Sequence, residues 1–199
     1  MINEHERVHK KHMHVVSRQK VDMCEVELKG RILDIGGGGE GIIGQLKKRR
    51  VVAIDSSERE LREAKSGGLK IIMDARVLQF LDCTFDTVTA FFSLMYIPED
   101  DREQIFKEVY RVLKKRGQFV IWDTIMPKRR KNSNKEMFVV PLTIALPGKK
   151  IQTVYGAPWH SRGQNCRIFK ELGKKIGFSV IKTSERKSLC YVRLVKNEK

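Results

Sequence analysis

Three aspartates at the ends of apolar runs are the residues whose types and spacing could do chemistry. Asp34, Asp55 and Asp74 each lie at the carboxyl end of a short apolar run, and each run predicts a buried strand. In an open α/β sheet, ligands bind outside the carboxyl ends of the strands. Three carboxylates at that edge therefore predict a ligand that is cationic or rich in hydroxyl groups.

A glycine-rich segment follows the first of these runs. Gly36, Gly38 and Gly41 fit G-x-G-x-x-G, which alone is a weak signal, and a turn without a ligand is the alternative. Glycine leaves no Cβ between backbone and ligand, and a helix expected to open there would offer unpaired N–H groups. Asp55 follows at the separation typical of an acidic residue that meets a ribose hydroxyl pair.

The same stretch resembles the class I S-adenosylmethionine-dependent methyltransferases, in particular their small, single-domain members. Residues 33–38 resemble the first motif of that family and residues 53–55 the second, and the similarity runs from about residue 30 to residue 123. Glu40 is a departure, because many members have glycine there. The resemblance implies S-adenosylmethionine as the cofactor.

The fold implied by the resemblance is α/β, with a Rossmann-like, doubly wound sheet of seven strands whose last strand is antiparallel. Residues 30–199 are expected to form a single methyltransferase domain, after a helical segment at residues 1–29 that in the resembled family often lies over cofactor or substrate. Two β-rich runs, residues 137–146 and 150–155, predict a hairpin. Residues 127–163, which contain this hairpin, are expected to form an insertion after the fifth strand that caps the substrate pocket.

Cofactor-binding candidates follow from the strand ends and from the resemblance. In the resembled family, the position of Asp74 meets the adenine amino group, and that of Ala75 gives the ring a backbone N–H. The exit of the fourth strand, from Ser93 to Tyr96, is expected to face the transferred methyl group. The cofactor-binding candidates are Asp34, Gly36, Gly38, Asp55, Ser56, Asp74, Ala75 and Ser93.

Substrate-binding and catalytic candidates lie after the fourth strand. Trp159, Arg162 and Tyr96 are the candidates for substrate binding, and Tyr96 is expected to line the methyl path. A sulfonium methyl is already electrophilic, so the protein must mainly align the acceptor and exclude water. A base is needed only if the acceptor holds a proton at the working pH. His160 and Asp123 are the candidates for that base, although His160 fits an ordinary loop histidine equally well.

The net charge of +16 over 199 residues bears on possible partners. It indicates an anionic partner, although a lysine-rich solvated surface explains it equally well. The predicted reaction is methyl transfer by in-line displacement to a small, anionic acceptor. RNA methylation is the alternative that the charge and the basic run at residues 128–131 favour. Residues 93–96 lack the Asn/Asp-Pro-Pro-Tyr/Phe motif that nucleic-acid amino methyltransferases of this fold usually show.

Two further alternatives belong to other functional classes. A NAD-dependent oxidoreductase also fits the glycine pattern followed by Asp55, but Asp34 and Asp74 speak against it. A non-catalytic S-adenosylmethionine-binding module fits the same residues as an enzyme does. Cofactor binding and turnover would separate these possibilities.

Cysteines and histidines give no metal prediction. The four cysteines lie far apart and form no C-x-x-C pair: Cys24, Cys83, Cys166 and Cys190. That pattern favours reduced cysteines over disulfides or zinc. His5, His9 and His12 share one face of the expected helix, but a solvated face is preferred because no carboxylate or cysteine completes a ligand set.

The sequence also bears on the location of the protein. No apolar run is long enough to cross a membrane, and the polar amino-terminal residues lack the apolar core of a signal peptide. A cytoplasmic location is therefore expected.

Overall fold

The computed structural model describes residues 12–65, 67–159 and 162–198. The strands are β1 (Met13–Val15), β2 (Gln19–Asp22), β3 (Ile32–Ile35), β4 (Val51–Asp55), β5 (Leu69–Ile72), β6 (Phe85–Phe91), β7 (Leu113–Thr124), β8 (Met137–Leu146), β9 (Lys149–Pro158), β10 (Phe178–Arg186) and β11 (Leu189–Lys196). The helices are α1 (Ile42–Lys47), α2 (Glu58–Glu63), α3 (Glu99–Val112) and α4 (Cys166–Ile176), with 3₁₀ turns at Lys48–Arg50 and Leu94–Tyr96. Over these ranges, no helix combines the length and apolar character needed to span a membrane.

A seven-stranded sheet forms the centre of the protein, in the order β10-β11-β7-β6-β3-β4-β5. The neighbours from β7 to β5 all pair in parallel. Only β11 runs against both of its neighbours, β7 and β10. The predicted Rossmann-like α/β sheet with an antiparallel last strand is thereby confirmed.

Successive residues of the central strands pack on opposite faces of this sheet, as the strand period of two requires. Leu33 and Ile35 of β3 join a core that contains α3 and α4, whereas Ile32 joins a second core on the other face. In β7, Phe119 and Val120 divide in the same way. Because both faces are covered, the strands are apolar throughout rather than alternating with polar residues.

The helices begin and end at residues with clear capping functions. The Ser57 hydroxyl accepts a hydrogen bond from the Glu60 N–H at the start of α2. The Asn165 carbonyl oxygen does the same for Ile168 at the start of α4. Gly177 ends α4 with φ +113, a backbone conformation that glycine adopts without strain. Both helices therefore begin at a residue whose side chain satisfies a backbone N–H of the first turn.

The second face of the large sheet is covered by a smaller, four-stranded sheet and by α1. Strand β8 lies at its centre, with β9 antiparallel on one side and with β1 and β2 parallel on the other. The buried side chains of β8 that belong to the second core are Phe138, Val140, Leu142, Ile144 and Leu146. The predicted hairpin is present as β8 and β9, but β8 is part of the hydrophobic core. Whether the hairpin caps a substrate remains a prediction.

The amino-terminal segment consists of short strands, so the predicted helix over residues 1–29 is wrong where the structure describes it. In β2, Gln19 and Val21 are buried while Lys20 and Asp22 are exposed, which is the period of a strand. Pairing with β8, more than a hundred residues away, overrides the local helical pattern. Residues 1–11, which include His5 and His9, lie outside the described residues.

Pro141 lies inside β8, although proline is usually confined to edge strands and bulges of a sheet. β1 pairs with β8 up to Val139 and β2 begins at Leu142, so Pro141 lies at the break between them. The Val139 carbonyl accepts a hydrogen bond from the Val16 N–H on that side, and Pro141 faces the same side two residues later. Proline has no backbone N–H. At position 141 no neighbouring strand among the described residues lies where that N–H would have donated a hydrogen bond, so its absence costs no sheet pairing.

A disulfide joins Cys166 of α4 to Cys190 of β11, so the expectation of four reduced cysteines is wrong. Both residues are buried, and their Cα atoms lie 5.4 Å apart although 24 positions separate them in sequence. Their proximity arises from the packing of α4 against β11, which no local cysteine spacing reveals. Cys24 and Cys83 are free and exposed.

Candidate functional site

A cavity of about 1290 Å³ opens at the carboxyl ends of β3, β4 and β5. It is called the acidic cavity below. Tyr96, in the turn after β6, lines it, as do all of the predicted cofactor residues: Asp34, Gly36, Gly38, Asp55, Ser56, Asp74, Ala75 and Ser93. The structure therefore brings these nine residues together, as the strand-end argument predicted.

Close packing requires the glycines of the turn after β3. Gly36 has φ +69, and a Cβ there would lie 2.4 Å from the Cβ of Ser93. A Cβ on Gly38 would lie 2.6 Å from that of Glu60, and the Gly38 N–H donates to Asp55 Oδ2 over 3.3 Å. A side chain at either position would displace the turn and the carboxylate that it holds.

The N–H groups of this turn bind mainly to the protein itself, which differs from the expected row of unpaired donors. Gly37 donates to the Ile54 carbonyl over 3.0 Å, and Gly39 donates to the Glu60 carbonyl over 2.9 Å. Gly41, which precedes the six-residue helix α1, donates to the carbonyl of Gly38. The turn is therefore held rigidly between β4 and α2, and side chains rather than free amides give the cavity its chemistry.

Asp34 is a buried carboxyl in the wall of the acidic cavity, only 2% exposed. Burial raises the pKa of Asp34 to about 7, the hydrogen bond from the Thr89 hydroxyl to Oδ1 opposes that rise, and the nearby Asp55 charge adds to it. Such a carboxyl is partly protonated near neutral pH. A cation bound beside it would favour its ionised form.

Asp55 ends β4 and connects two segments of the site. Its Oδ1 accepts the Ser57 N–H over 2.9 Å, and its Oδ2 accepts the Gly38 N–H. Each carboxylate oxygen has a further lone pair. A carboxylate fixed in this way can accept hydrogen bonds from two hydroxyl groups of a ligand.

Asp74 is already paired with a basic side chain of the protein. Arg76 Nη2 lies 2.6 Å from Asp74 Oδ2, and Arg76 Nη1 lies 3.1 Å from Asp101 Oδ2. The hydrogen bonds from the Arg76 side chain lower the pKa of Asp74. The contact between Asp74 and an adenine amino group that the resemblance implies remains a prediction, and it would compete with this ion pair. Ala75 lies beside the pair in the cavity lining.

Strand β9 forms a wall of the cavity and is bonded to the segment that follows β3. The Glu40 carboxylate accepts hydrogen bonds from the hydroxyls of Thr153 and Tyr155. Lys149 Nζ donates to Gln45 Oε1 over 2.5 Å. The sequence singled out Glu40 as a departure from the family pattern, but it gave no signal for partners more than a hundred residues away.

Acidic side chains outnumber basic ones in the described lining of this cavity. The seven acidic residues are Asp34, Glu40, Asp55, Glu60, Glu63, Asp74 and Asp101. The three basic residues are Lys65, Arg76 and Lys149. The cavity is therefore acidic within a chain whose net charge is +16, and it suits a ligand that carries positive charge.

Tyr96 contributes a phenol at the side of the cavity near β9. The residue is 44% exposed. Desolvation of the hydroxyl raises the pKa of Tyr96 to about 12, although a hydrogen bond from the Gly156 N–H opposes that rise. The hydroxyl is therefore protonated at neutral pH and can donate a hydrogen bond to a ligand.

Asp123 lies in the core and is absent from the described cavity lining. Its Oδ1 accepts hydrogen bonds from Gln164 Nε2 and from the Thr124 N–H, each over 2.7 Å. Burial raises the pKa of Asp123 to about 6. The Asp123 side chain lies on the same face of β7 as Ile121, which packs in the core, so the structure does not bring this candidate base to the acidic cavity.

The remaining substrate-side predictions do not meet in the acidic cavity. Trp159 Nε1 donates to the Pro127 carbonyl over 2.7 Å, so the indole is bound within the segment after β7. Arg162 is exposed and lies 3.5 Å from Glu99 in an ion pair at the start of α3. Neither residue lines the described cavity, and His160 lies outside the described residues.

Comparisons of the sequence with known proteins match the central part of the chain. Residues 33–121 match a family described as a methyltransferase domain. The chain is 32% identical over 139 residues to a sterol 4-C-methyltransferase of Caenorhabditis elegans, which covers 64% of this chain and 40% of that protein. It is 31% identical over 113 residues to a demethylmenaquinone methyltransferase of Thermotoga maritima, with coverage of 53% and 48%. The chain therefore spans less than half the length of these relatives.

The fold also resembles that of solved methyltransferase structures. One is phosphoethanolamine N-methyltransferase 2 of Haemonchus contortus, solved in complex with S-adenosyl-L-methionine. The TM-score is 0.62 at 16% sequence identity, and the match covers 87% of this chain and 50% of that one. At this identity the similarity concerns the fold.

Proposed function

We propose that the chain transfers a methyl group from S-adenosylmethionine to a small molecule, as a member of the class I S-adenosylmethionine-dependent methyltransferases. The match of residues 33–121 to a methyltransferase domain and the similarity to the two relatives support this proposal. The observation that carries this proposal is the acidic cavity beside the glycine-rich turn, within the matched segment. S-adenosylmethionine is the cofactor of this family, and it carries a sulfonium, an ammonium group and a ribose diol.

The residues of the cavity fit this cofactor. The glycines leave no side chain between the turn and the cavity, and Asp55 is held with lone pairs that suit the ribose diol. A positive charge near Asp34 would restore the ionised form of that buried carboxyl. Asp74 and Ala75 remain the proposed adenine contacts, and Ser56 and Ser93 complete the proposed set.

The proposed chemistry needs position more than proton transfer. When bound, the cofactor supplies an electrophilic methyl group on sulfur. The protein must hold an acceptor in line with that methyl and exclude water, which can supply much of the rate. Tyr96 keeps its proton at neutral pH, so its proposed role is to donate a hydrogen bond that orients the acceptor. The β9 wall, held by Glu40, would limit the entry of water.

The acceptor that best fits the cavity has an apolar body. The lining includes Phe91, Phe92, Ile97, Ile151 and Val154, which offer apolar contacts beside Tyr96. Two of the relatives are named for methyl transfer to sterols and to demethylmenaquinone, and such acceptors agree with an apolar lining. We therefore propose an apolar or partly apolar small molecule as the first class to test.

An anionic small acceptor is the second candidate. The net charge of +16 was the argument from the sequence for an anionic acceptor. Three basic residues in the cavity lining, Lys65, Arg76 and Lys149, support this candidate. The seven acidic residues of the same lining oppose it. RNA remains an alternative acceptor, but the basic run at residues 128–131 that favoured it is absent from the described lining.

Calorimetric titration with S-adenosylmethionine and S-adenosylhomocysteine, with NAD as the control, tests the cofactor. We expect both sulfur compounds to bind and NAD not to bind. NAD binding alone would favour an oxidoreductase instead. Formation of S-adenosylhomocysteine with sterols, quinones, anionic small molecules or RNA then tests turnover. Cofactor binding without turnover on any of these acceptors would favour a non-catalytic module.

A further inference from the structure

A second cavity, of about 630 Å³, is lined mainly by basic side chains. It lies between the end of α1, the 3₁₀ turn that follows, the segment after α2 and the start of β9. Its basic residues are Lys47, Lys48, Arg49, Arg50, Lys65 and Lys149, and its described lining contains no acidic residue. We call it the basic cavity.

The basic residues of this cavity form no ion pairs within 4 Å in the part of the chain that the structure describes. Elsewhere the protein pairs many basic side chains with acids, as in the ion pair between Arg62 and Glu58. Burial and then the neighbouring Arg50 charge lower the pKa of Lys47, although the Glu27 charge opposes that change. An anion in the cavity would relieve this repulsion.

The backbone fixes the concave shape of this cavity. Lys48 has φ +50, and a positive φ is uncommon for a residue with a side chain. On the opposite side, a Cβ on Gly68 would lie 2.3 Å from the Val51 carbonyl oxygen, and one on Gly67 would lie 3.7 Å from the Lys48 Cα. The basic turn is therefore packed against a glycine pair.

The C-terminus of the short helix α1 does not by itself explain why six basic residues meet in this cavity. Cations at a helix C-terminus are favourable, which accounts for basic residues in the last turn of α1. It does not account for Lys65 and Lys149, which come from two other parts of the chain. Lys149 is moreover positioned by its hydrogen bond to Gln45. Three separate segments thus bring positive charge to one concave surface.

From this convergence we propose that the basic cavity binds the diphosphate group of a small molecule. Arginine forks and lysine ammonium groups are the usual ligands of phosphate oxygens. Six positive charges exceed what one phosphate needs, and the volume is within the range of small-molecule pockets. The acidic and basic cavities share Gln45, Lys65 and Lys149, so a bound diphosphate would lie beside the proposed cofactor site.

Calorimetric titration of the whole protein with inorganic diphosphate, at physiological salt and without cofactor, tests this proposal. We expect one diphosphate to bind per chain. The double variant Arg49→Gln/Arg50→Gln should weaken binding by about tenfold or more, because charge-assisted hydrogen bonds are lost. The matched control Arg130→Gln/Lys131→Gln removes the same charge from the basic loop after β7, outside the described lining, and should leave the affinity nearly unchanged.

Four outcomes would overturn the proposal, and none depends on cofactor binding. An equal loss in both double variants would mean that diphosphate responds to net charge alone. Monophosphate that binds as tightly as diphosphate would exclude a site for two phosphates. Single-stranded RNA that displaces diphosphate with a much steeper salt dependence would assign the cavity to nucleic acid instead. Melting curves of both variants confirm that each is folded, and absence of binding to the native protein would also refute the site.

Discussion

The Tyr155 hydroxyl donates a hydrogen bond to Glu40 Oε2 over 2.6 Å, between residues 115 positions apart. The Thr153 hydroxyl, on the same face of β9, donates to the other oxygen of this carboxylate. Burial first, and then the bond to Glu40, raise the pKa of Tyr155, so its hydroxyl remains a donor. One carboxylate thus links the small sheet to the glycine-rich turn, and the wall of the acidic cavity is anchored to its base.

The link between Glu40 and Tyr155 should be measurable as a coupling free energy. Tyr155→Phe should lower the free energy of unfolding by about 1–3 kcal/mol, because it removes a hydrogen bond to a charged group. A double-mutant cycle with Glu40→Ala, followed by urea unfolding, isolates the pairwise part. We expect a coupling of about 1 kcal/mol or more. Strictly additive effects would contradict a direct interaction.

Asp55→Ala tests the proposed cofactor site. It should weaken S-adenosylmethionine binding by roughly ten- to a hundredfold, since a charged acceptor for two hydroxyls is lost. The free energy of unfolding should fall by about 1–3 kcal/mol, from the lost bonds to Gly38 and Ser57. Glu58→Ala, which removes an exposed acid nearby in α2, is the charge-matched control. Unchanged affinity in Asp55→Ala would refute the site assignment.

Asp34 should make the protein less stable as the pH rises. Its pKa is about 7 in the folded chain against 3.8 for the free side chain, so the folded state binds more protons between these values. The resulting loss of stability, about 1.4 kcal/mol per pH unit at most, develops from about pH 4 to about pH 7 and is complete above that range.

Comparison with Asp34→Asn across this pH range measures that contribution, because the variant cannot ionise. Asp123→Asn is the matched control, since burial raises the pKa of Asp123 only to about 6. The difference in stability between Asp123→Asn and the native protein should therefore stop changing above about pH 6, whereas that of Asp34→Asn should change up to about pH 7. Parallel stability curves for the native protein and Asp34→Asn would contradict the raised pKa.

Binding of a cation beside Asp34 should release a proton. The positive charge favours the ionised carboxyl and lowers its pKa, so near neutral pH up to one proton leaves as S-adenosylmethionine binds. Calorimetry in two buffers with different ionisation enthalpies measures this number. Asp34→Asn should bind without the Asp34 proton release. Equal proton release in both proteins would place the cation away from Asp34.

Loss of the disulfide should destabilise the fold. The bond between Cys166 and Cys190 closes a loop over 24 positions, for which chain entropy gives a loss of about 3 kcal/mol on removal. Cys166→Ser should therefore melt at a lower temperature, whereas Cys24→Ser, at an exposed free cysteine, should not. Peptide mapping without reductant should recover the linked pair, and identical melting of Cys166→Ser and the native protein would refute the contribution.

The large sheet could be predicted because its signals are local. Each parallel strand is a short apolar run between polar residues, as at Ile32–Ile35 and Val51–Asp55. The hairpin turn at residues 147–148 was equally readable. The pairing of β1 and β2 with β8 was not, because Arg18 and the Leu142 carbonyl that it binds are 124 positions apart. No local pattern identifies a strand partner at such a distance.

The residues of the site also differ in whether local signals in the sequence could predict their positions. Asp34, Asp55 and Asp74 meet in one cavity because adjacent parallel strands end at the same edge of the sheet. The direction of Trp159 instead depends on the register of β8 and β9 and on its bond to Pro127. Asp123 could not be placed from the sequence, because both faces of β7 are covered by core and its neighbours Trp122 and Thr124 are buried as well.

The pairing of β2 with β8 also sets an order for the assembly of the protein. Met13 of β1 pairs with Met137, and Lys20 of β2 pairs with Thr143. The amino-terminal strands therefore have no sheet partner until β8 has been synthesised. The parallel strands β3, β4, β5 and β6 can pair earlier, while the face that carries Ile32 stays uncovered. Long-range pairing of this kind is slow and leaves apolar surface open during folding. An incompletely synthesised chain therefore leaves this apolar face exposed until β8 and β9 are made and cover it.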